Sequence, residues 1–172
     1  MGRLWDTYMG TRRPDTTVKA IPTTELRAAL LALGGTDVPF GVREAAGGGG
    51  GADLVAEWKV MEPPSGSGMA RRQVERTFKI WLRLVPGERE VRAMDEQWAV
   101  TRAGAPPGRT VQREHGRGPI RRVHQEWSYE RGTDGRRQKV VSFSLHVTRD
   151  MKDPLRDTVL AAGWTWRGAR KP

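Results

Sequence analysis

The chain has no cysteine among its 172 residues, which excludes disulfide bonds, thiolate metal sites and a cysteine nucleophile. It also lacks any apolar run approaching the roughly 18 residues that a transmembrane helix needs. Residues 1–14 contain no apolar segment of the kind that marks a secretory signal. We therefore expect a cytoplasmic protein without a transmembrane segment.

Acidic residues are scarce in the second half of the chain. Residues 1–101 hold 14 Lys and Arg against 13 Asp and Glu, a net charge of +1, whereas residues 102–172 hold 16 against 7, a net charge of +9. A GC-rich genome would explain an excess of Arg, but not a local shortage of acids. The asymmetry favours an anionic partner, such as nucleic acid, anionic lipid or an acidic protein.

The length and composition predict one domain with long polar loops. A chain of 172 residues fits a single domain and can bury about 70% of its unfolded surface. The hydrophobic fraction is only 37%, and the chain holds 21 Gly and 11 Pro, which favours extended loops around a compact core. We expect a flexible arm over residues 1–21, the domain over 22–168, a tail over 169–172, and flexible loops at 46–52, 63–74 and 102–121.

Apolar spacing predicts two helices with strands between them. Leu26 and Leu30 repeat at helical spacing after Pro22, and a second helix follows Asp153 and Pro154. Alternating apolar residues predict strands at 40–45 and 53–61, a hairpin over 76–100, and a second hairpin from 123–129 and 141–147. The order predicts an α+β fold, with an antiparallel sheet of about six strands and an N-terminal and a C-terminal helix packed on it.

The register of the first hairpin follows from its turn. A four-residue turn, Pro86-Gly87-Glu88-Arg89, pairs Leu84 with Val91, Leu82 with Ala93, Trp81 with Met94 and Lys79 with Glu96. The same register places Asp95 on the core face, opposite Ile80. We expect either a bulge there or a buried ion pair between Asp95 and an arginine.

In the second hairpin, His124 is expected opposite His146, and Tyr129 opposite Val141. Two histidines and Glu126 on one face have the right chemistry for a metal site. Their spacing is not specific, however, and ordinary solvent-facing histidines explain them better. We predict neither a metal site nor a cofactor.

Three segments of the chain carry a resemblance to other proteins. They are DLVAEWKV (residues 53–60), EVRAMDEQWAV (90–100) and DPLRDTVLAAGWTWRG (153–168). Together they resemble a family of small, uncharacterised actinobacterial proteins that share a D-L-V-A-E-W strand, an E-V-R-A-x-D-x-x-W strand and a closing A-A-G-W-T-W-R-G. The chain departs from this pattern at residues 63–74, where a Pro/Ser/Gly loop replaces an aromatic-rich helical stretch. The resemblance implies a complete domain but no activity.

The leading hypothesis is a non-catalytic binding module for an anionic partner, with nucleic acid favoured. Phosphate contacts are predicted from Arg113, Arg117, Arg121, Arg122, Arg136, Arg137 and Lys139. Trp81 lies between Lys79 and Arg83 on the face of the sheet opposite Phe78, called here the second face, and is a candidate for stacking on bases. Alternatively, a helix covers this face, or it forms a homodimer interface.

Two further hypotheses belong to other functional classes. A small apolar-ligand carrier would have a pocket between the sheet and the C-terminal helix, lined by Trp58, Phe78, Trp127, Phe143 and Trp164. An enzyme would depend on Asp95 alone, because the chain shows no nucleophile motif. We therefore lean away from an enzyme.

Overall fold

A computed structural model describes residues 4, 7, 8, 10–35, 37–104, 110–118, 123–124, 129–131, 137–139, 144–145 and 148–171. The elements, in chain order, are α1 (Thr23–Ala32), β1 (Gly41–Glu44), β2 (Leu54–Met61), β3 (Arg72–Val85), β4 (Glu90–Ala103), β5 (Thr110–Arg117), β6 (Val123–His124), β7 (Tyr129–Arg131), β8 (Arg137–Lys139), β9 (Ser144–Leu145), α2 (Asp153–Ala161) and β10 (Thr165–Gly168). A single π-helical turn, Thr148–Lys152, precedes α2. The fold is α+β, as the sequence predicts.

The main sheet has six strands in the order β1-β2-β3-β4-β10, with β5 also paired to β4. The long strand β4 has two partners on one side, since β10 pairs with residues 90–93 and β5 with residues 96–103. β10 runs parallel to β4, so the sheet is mixed and the expectation of a purely antiparallel sheet is wrong. The chain returns to β10 through α2, and such a crossover brings a strand back in the same direction.

The predicted register of the first hairpin is confirmed. Leu84 pairs with Val91, Trp81 with Met94, and Ile80 with Asp95. β2 adds to β3 in an antiparallel register that aligns Ala56 with Ile80. Because side chains alternate along each strand, this register sorts residues between the main core and the second face.

The main core lies on one face of the sheet. Leu26 and Leu30 of α1, together with Leu155 and Val159 of α2, are fully buried and belong to the same apolar cluster as the strand residues. The strands contribute Leu54, Ala56, Phe78, Ile80, Leu82, Leu84, Val91, Ala93 and Trp166. Each large buried side chain contributes about 1.5–3 kcal/mol. Within the described residues, no helix is long and apolar enough to cross a membrane.

Residues 10–21 are bonded to the domain, although the sequence predicts a flexible arm over residues 1–21. Arg12 and Trp166 exchange two backbone hydrogen bonds of 2.8 Å, and the Ile21 N–H donates to the Ala162 carbonyl at 3.0 Å. Arg12 thereby covers the outer edge of β10. At the other end of the chain, the Ala169 N–H donates to the Ala93 carbonyl at 2.8 Å, so the predicted tail begins with a sheet contact.

Two predicted loops contain strands. In the 102–121 segment, β4 continues to Ala103, and β5 occupies Thr110–Arg117. Both faces of β5 carry polar or charged residues, so no apolar alternation marks it in the sequence. In the 63–74 segment, β3 already begins at Arg72, which forms an isolated bridge with Ser65.

The register of the second hairpin differs from the prediction by two residues. His124 pairs with Ser144 rather than His146, and Tyr129 pairs with Lys139 rather than Val141. The connection is shorter than expected, because pairing already reaches Arg131 and Arg137. A shift of two residues, unlike a shift of one, preserves the alternation of the pairing.

Candidate nucleic-acid interface

A ladder of alternating charges crosses the second face of the sheet. The strand registers align Glu57, Lys79, Glu96 and Arg117 on β2, β3, β4 and β5. Lys79 Nζ lies 3.2 Å from a carboxylate oxygen of Glu57, and Arg117 Nε lies 3.2 Å from one of Glu96. Opposite charges on neighbouring strands stabilise the sheet and fix the position of each group.

Trp81 is a buried residue of this face and is not an exposed stacking platform. Its exposed fraction is 8%, and it packs with Ala45, Val55 and Met94. The glycine segment 47–51 covers the ring, since a Cβ on Gly48 would lie 3.0 Å from a ring carbon of Trp81. A loop rather than a helix therefore covers this part of the second face. Lys79 also lies near the ring, with Nζ 5.5 Å from its centroid.

Glu96 joins the covered part of the face to the open part. Its side chain is 6% exposed, and its carboxylate accepts hydrogen bonds from Trp81 Nε1 at 2.7 Å and Arg117 Nε at 3.2 Å. His115 Nε2 lies 2.8 Å from the same carboxylate. Burial raises the pKa of Glu96, but the hydrogen bonds from Trp81, His115 and Arg117 lower the pKa by more, so the net direction is downward.

Trp98 is the exposed aromatic residue of this surface. It is 40% exposed and stacks on His115 of β5, with ring centroids 4.0 Å apart and planes inclined by 26°. Arg113 and Arg117 lie two residues to either side of His115 on β5, so they share its face. The contact with Glu96 fixes His115, and His115 in turn supports the indole.

Two cations of the second face, Lys59 and Arg117, reach further into solvent than Glu57 and Glu96. The side chain of Lys59 is 64% exposed and that of Arg117 is 54% exposed, whereas Glu57 is 20% exposed. Lys59 Nζ lies 3.5 Å from Glu57, and both lysines beside Glu57 offset the effect of burial and lower its pKa. The surface presented to a partner is therefore more positive than the count of charges indicates.

Among the other predicted contact residues, Arg83 is exposed on the second face, beside Arg92 of β4. Arg137 and Lys139 belong to β8, of which only the backbone pairing is described. Arg121, Arg122 and Arg136 lie outside the described residues.

The residues of the predicted apolar pocket belong to the core where they are described. The Trp58 and Phe78 rings lie 6.4 Å apart, and Trp164 is buried with its Nε1 donating to the Ile21 carbonyl at 2.9 Å. Trp127 and Phe143 lie outside the described residues. A surface groove beside β1 and β2 is lined by other residues, including Arg43 and Lys59.

Asp95 faces the core opposite Ile80, as predicted, and there is no bulge at this position. Among the described residues it forms an ion pair with Lys152, with Nζ 2.7 Å from a carboxylate oxygen and only 13% of the lysine side chain exposed. This ion pair joins β4 to the turn that leads into α2. Such a pair is a structural link, because removing one partner would leave a buried charge.

The stack of Trp98 on His115 is not predicted from the sequence. Trp98 lies four residues after Met94 on β4 and so shares the second face, but His115 falls in a segment that is predicted to be a loop. Only the pairing of β5 with β4 brings the two rings together. On β5, the alternation of Arg113, His115 and Arg117 with other residues is the sequence signal that indicates a shared face.

Comparison with known proteins adds no relative: no protein-family model, no curated protein and no solved structure matches this chain. The resemblance to the actinobacterial family therefore stays a prediction.

Proposed function

We propose that this protein is a non-catalytic cytoplasmic module that binds single-stranded nucleic acid across the second face of its sheet. The observation that carries the proposal is the stack of Trp98 on His115, which lies exposed between Arg113 and Arg117. Aromatic rings on an open sheet face, with cations around them, are how several single-strand binding domains hold bases and phosphates.

The aromatic part of the surface suits bases in general. Every base offers a π-face, so stacking on Trp98 requires no particular sequence, and each such contact contributes about 1–3 kcal/mol. Contact with His115 at a centroid distance of 4.0 Å orients the Trp98 ring before a ligand arrives. A duplex keeps its bases stacked inside the helix, and we therefore expect single strands to bind more tightly than duplexes.

The charged part of the surface suits phosphates. Arg113 is exposed, and no carboxylate of the described residues lies within salt-bridge distance of it. Arg117 is more than half exposed, although it contacts Glu96. These two arginines flank His115 on β5, the ring that stacks on Trp98, and a strand with its base on Trp98 would pass its backbone over them.

Fluorescence anisotropy with labelled single strands of roughly 12 nucleotides, as RNA and as DNA, tests this proposal. We expect Trp98→Ala to weaken binding about tenfold or more, as the loss of one stacked base predicts. Arg113→Ala should also weaken binding, whereas the matched control Arg149→Ala should not, because Arg149 is exposed and contacts only Asp150 among the described residues. Equal affinity of wild type, Trp98→Ala and Arg113→Ala would refute the proposal.

A homodimer through the same face is the second candidate. Met61, Trp98 and Val111 are exposed apolar residues of this face, and a dimer would cover them. Sedimentation of the free protein distinguishes the two functions: a dimer that Val111→Asp dissociates supports the interface, whereas a monomer that binds single strands supports nucleic-acid recognition.

A further inference from the structure

A groove of about 370 Å³ lies at the other end of the second face, between β10 and the first residues of β4. Arg92, Arg167, Gly168, Ala169, Arg170 and Lys171 line it. Four of these six residues are cationic, and they come from two strands and the segment that follows β10. Arg170 and Lys171 belong to the segment that the sequence predicts only to be a tail.

The strand registers place three arginines side by side in one row of the second face, and two of them, Arg92 and Arg167, line the groove. Arg83 pairs with Arg92, and Arg92 pairs with Arg167, so one row of the second face carries three positive charges on neighbouring strands. Like charges in directly opposite positions destabilise a sheet. This row is therefore costly unless anionic groups lie against it.

Glu90 and Glu88 supply part of that negative charge. The Glu90 side chain is only 9% exposed and contacts two guanidinium groups, Arg92 Nε at 2.9 Å and Arg167 Nη1 at 3.3 Å. Glu88 contacts Arg92 at 3.3 Å. Two carboxylates thus face a row of three arginines, while Arg170 and Lys171 add to the positive lining of the groove.

We propose that this groove binds the dianionic phosphate of a phosphomonoester. A guanidinium group binds two phosphate oxygens through a pair of parallel N–H donors. This paired geometry favours a phosphate group over a diffuse negative surface. Because the buried Glu90 already holds Arg92 and Arg167, less side-chain freedom is lost when the phosphate binds. The volume leaves room for the group that carries the phosphate.

The groove is separate from the Trp98 surface. Arg92 and Trp98 are six residues apart on β4, which is about 20 Å along an extended strand. The glycine segment 47–51, which covers Trp81, lies over the rows between them. The proposal therefore does not depend on nucleic-acid binding at Trp98.

Two sources of a phosphomonoester are distinguishable with defined probes. Calorimetric titration of the full chain with glycerol phosphate measures a free small molecule. Anisotropy with one oligonucleotide, prepared with either a 5′-phosphate or a 5′-hydroxyl, measures a strand end. The variant Arg167→Gln removes one guanidinium group from the groove. The variant Lys171→Gln removes a positive charge from the groove with little risk to folding. Arg149→Gln is the control of equal charge change.

We expect at least one phosphorylated probe to bind and Arg167→Gln to weaken it about tenfold, the effect of losing one charged hydrogen bond. Lys171→Gln should weaken it less, and Arg149→Gln should leave it unchanged. Binding of glycerol phosphate identifies a small-molecule ligand. A preference for the 5′-phosphorylated oligonucleotide that Arg167→Gln abolishes identifies a strand end. If neither probe binds, or if both groove variants bind like wild type, the proposal is wrong, whatever the hydroxyl oligonucleotide shows at Trp98.

Discussion

At the scale of single residues, Gly163 has little freedom to change. It ends α2 with a φ of 74°, and a Cβ there would lie 2.7 Å from both the Cα and the N of Ala20. Its backbone conformation and the close approach of the N-terminal segment both require glycine.

We expect Gly163→Ala to lower the free energy of unfolding by about 2–4 kcal/mol, from the left-handed conformation and the overlap with Ala20 together. Urea denaturation at neutral pH measures this. Gly87→Ala is the control, since a Cβ on Gly87 meets no atom within 4 Å. Equal losses in both variants would show that the contact with Ala20 is not tight.

Glu96 predicts a dependence of stability on pH. Its folded pKa is lowered below the ordinary 4.5, so the stability it contributes is fully present above pH 4.5 and is lost as the pH falls through the lower folded value. We expect Glu96→Gln to destabilise the protein by about 1–3 kcal/mol at pH 7, and by much less in acid.

Thermal or urea denaturation across this pH range measures the difference. Glu114→Gln is the control, because Glu114 is exposed on β5 and contacts only Gln112 among the described residues. A constant difference between wild type and Glu96→Gln at all pH values would contradict an ionised Glu96.

Some residue positions could be predicted from the sequence and others could not. The alternation of side chains along β4 and the short turn before it determine the register. The sequence therefore predicts that Asp95 faces the core. Its ion pair with Lys152 could not be predicted, because Lys152 lies 57 residues further along the chain. The burial of Trp81 depends on the path of the glycine segment 47–51. No local sequence pattern predicts that path or the ion pair of Asp95.

At the scale of elements, local patterns explain what the sequence predicts. Apolar alternation and a short turn define the β3–β4 hairpin, and apolar helical spacing followed by glycine defines α1 and α2. β5 and β10 were missed for different reasons. β5 has charged residues on both faces, and β10 has only four residues. The parallel pairing of β10 with β4 depends on the long connection between the two strands, so no local sequence pattern predicts it.

The glycine segment provides a test of how Trp81 is covered. Gly49 and Gly50 have nearly the same positive φ, 67° and 70°, so alanine meets the same backbone strain at both. A Cβ on Gly49 would overlap the Trp81 ring, whereas a Cβ on Gly50 meets nothing within 4 Å. We expect Gly49→Ala to cost about 1–3 kcal/mol more than Gly50→Ala and to shift the tryptophan emission. Equal stability would mean that the segment does not cover the ring.

At the scale of the whole molecule, the net charge of +10 attracts any polyanion, and the second face concentrates part of that charge around one exposed ring. General attraction and a specific surface are distinguishable by salt. We expect affinity for single strands to fall steeply with salt, and Arg113→Ala to reduce the slope of log K against log salt by about 1. Arg149→Ala should leave the slope unchanged. Equal slopes for all three proteins would assign the binding to diffuse charge.

The place of β10 in the sheet has a consequence for the order of folding. Residues 90 and 165 pair directly, and closing so long a stretch of chain is entropically unfavourable until other contacts exist. The β3–β4 hairpin closes a far shorter loop and is expected to form first. Leu82→Ala should therefore slow refolding, whereas Gly163→Ala should mainly accelerate unfolding, as stopped-flow fluorescence would measure. The edge that Arg12 and β10 complete would be the last part of the sheet to form and the first to open.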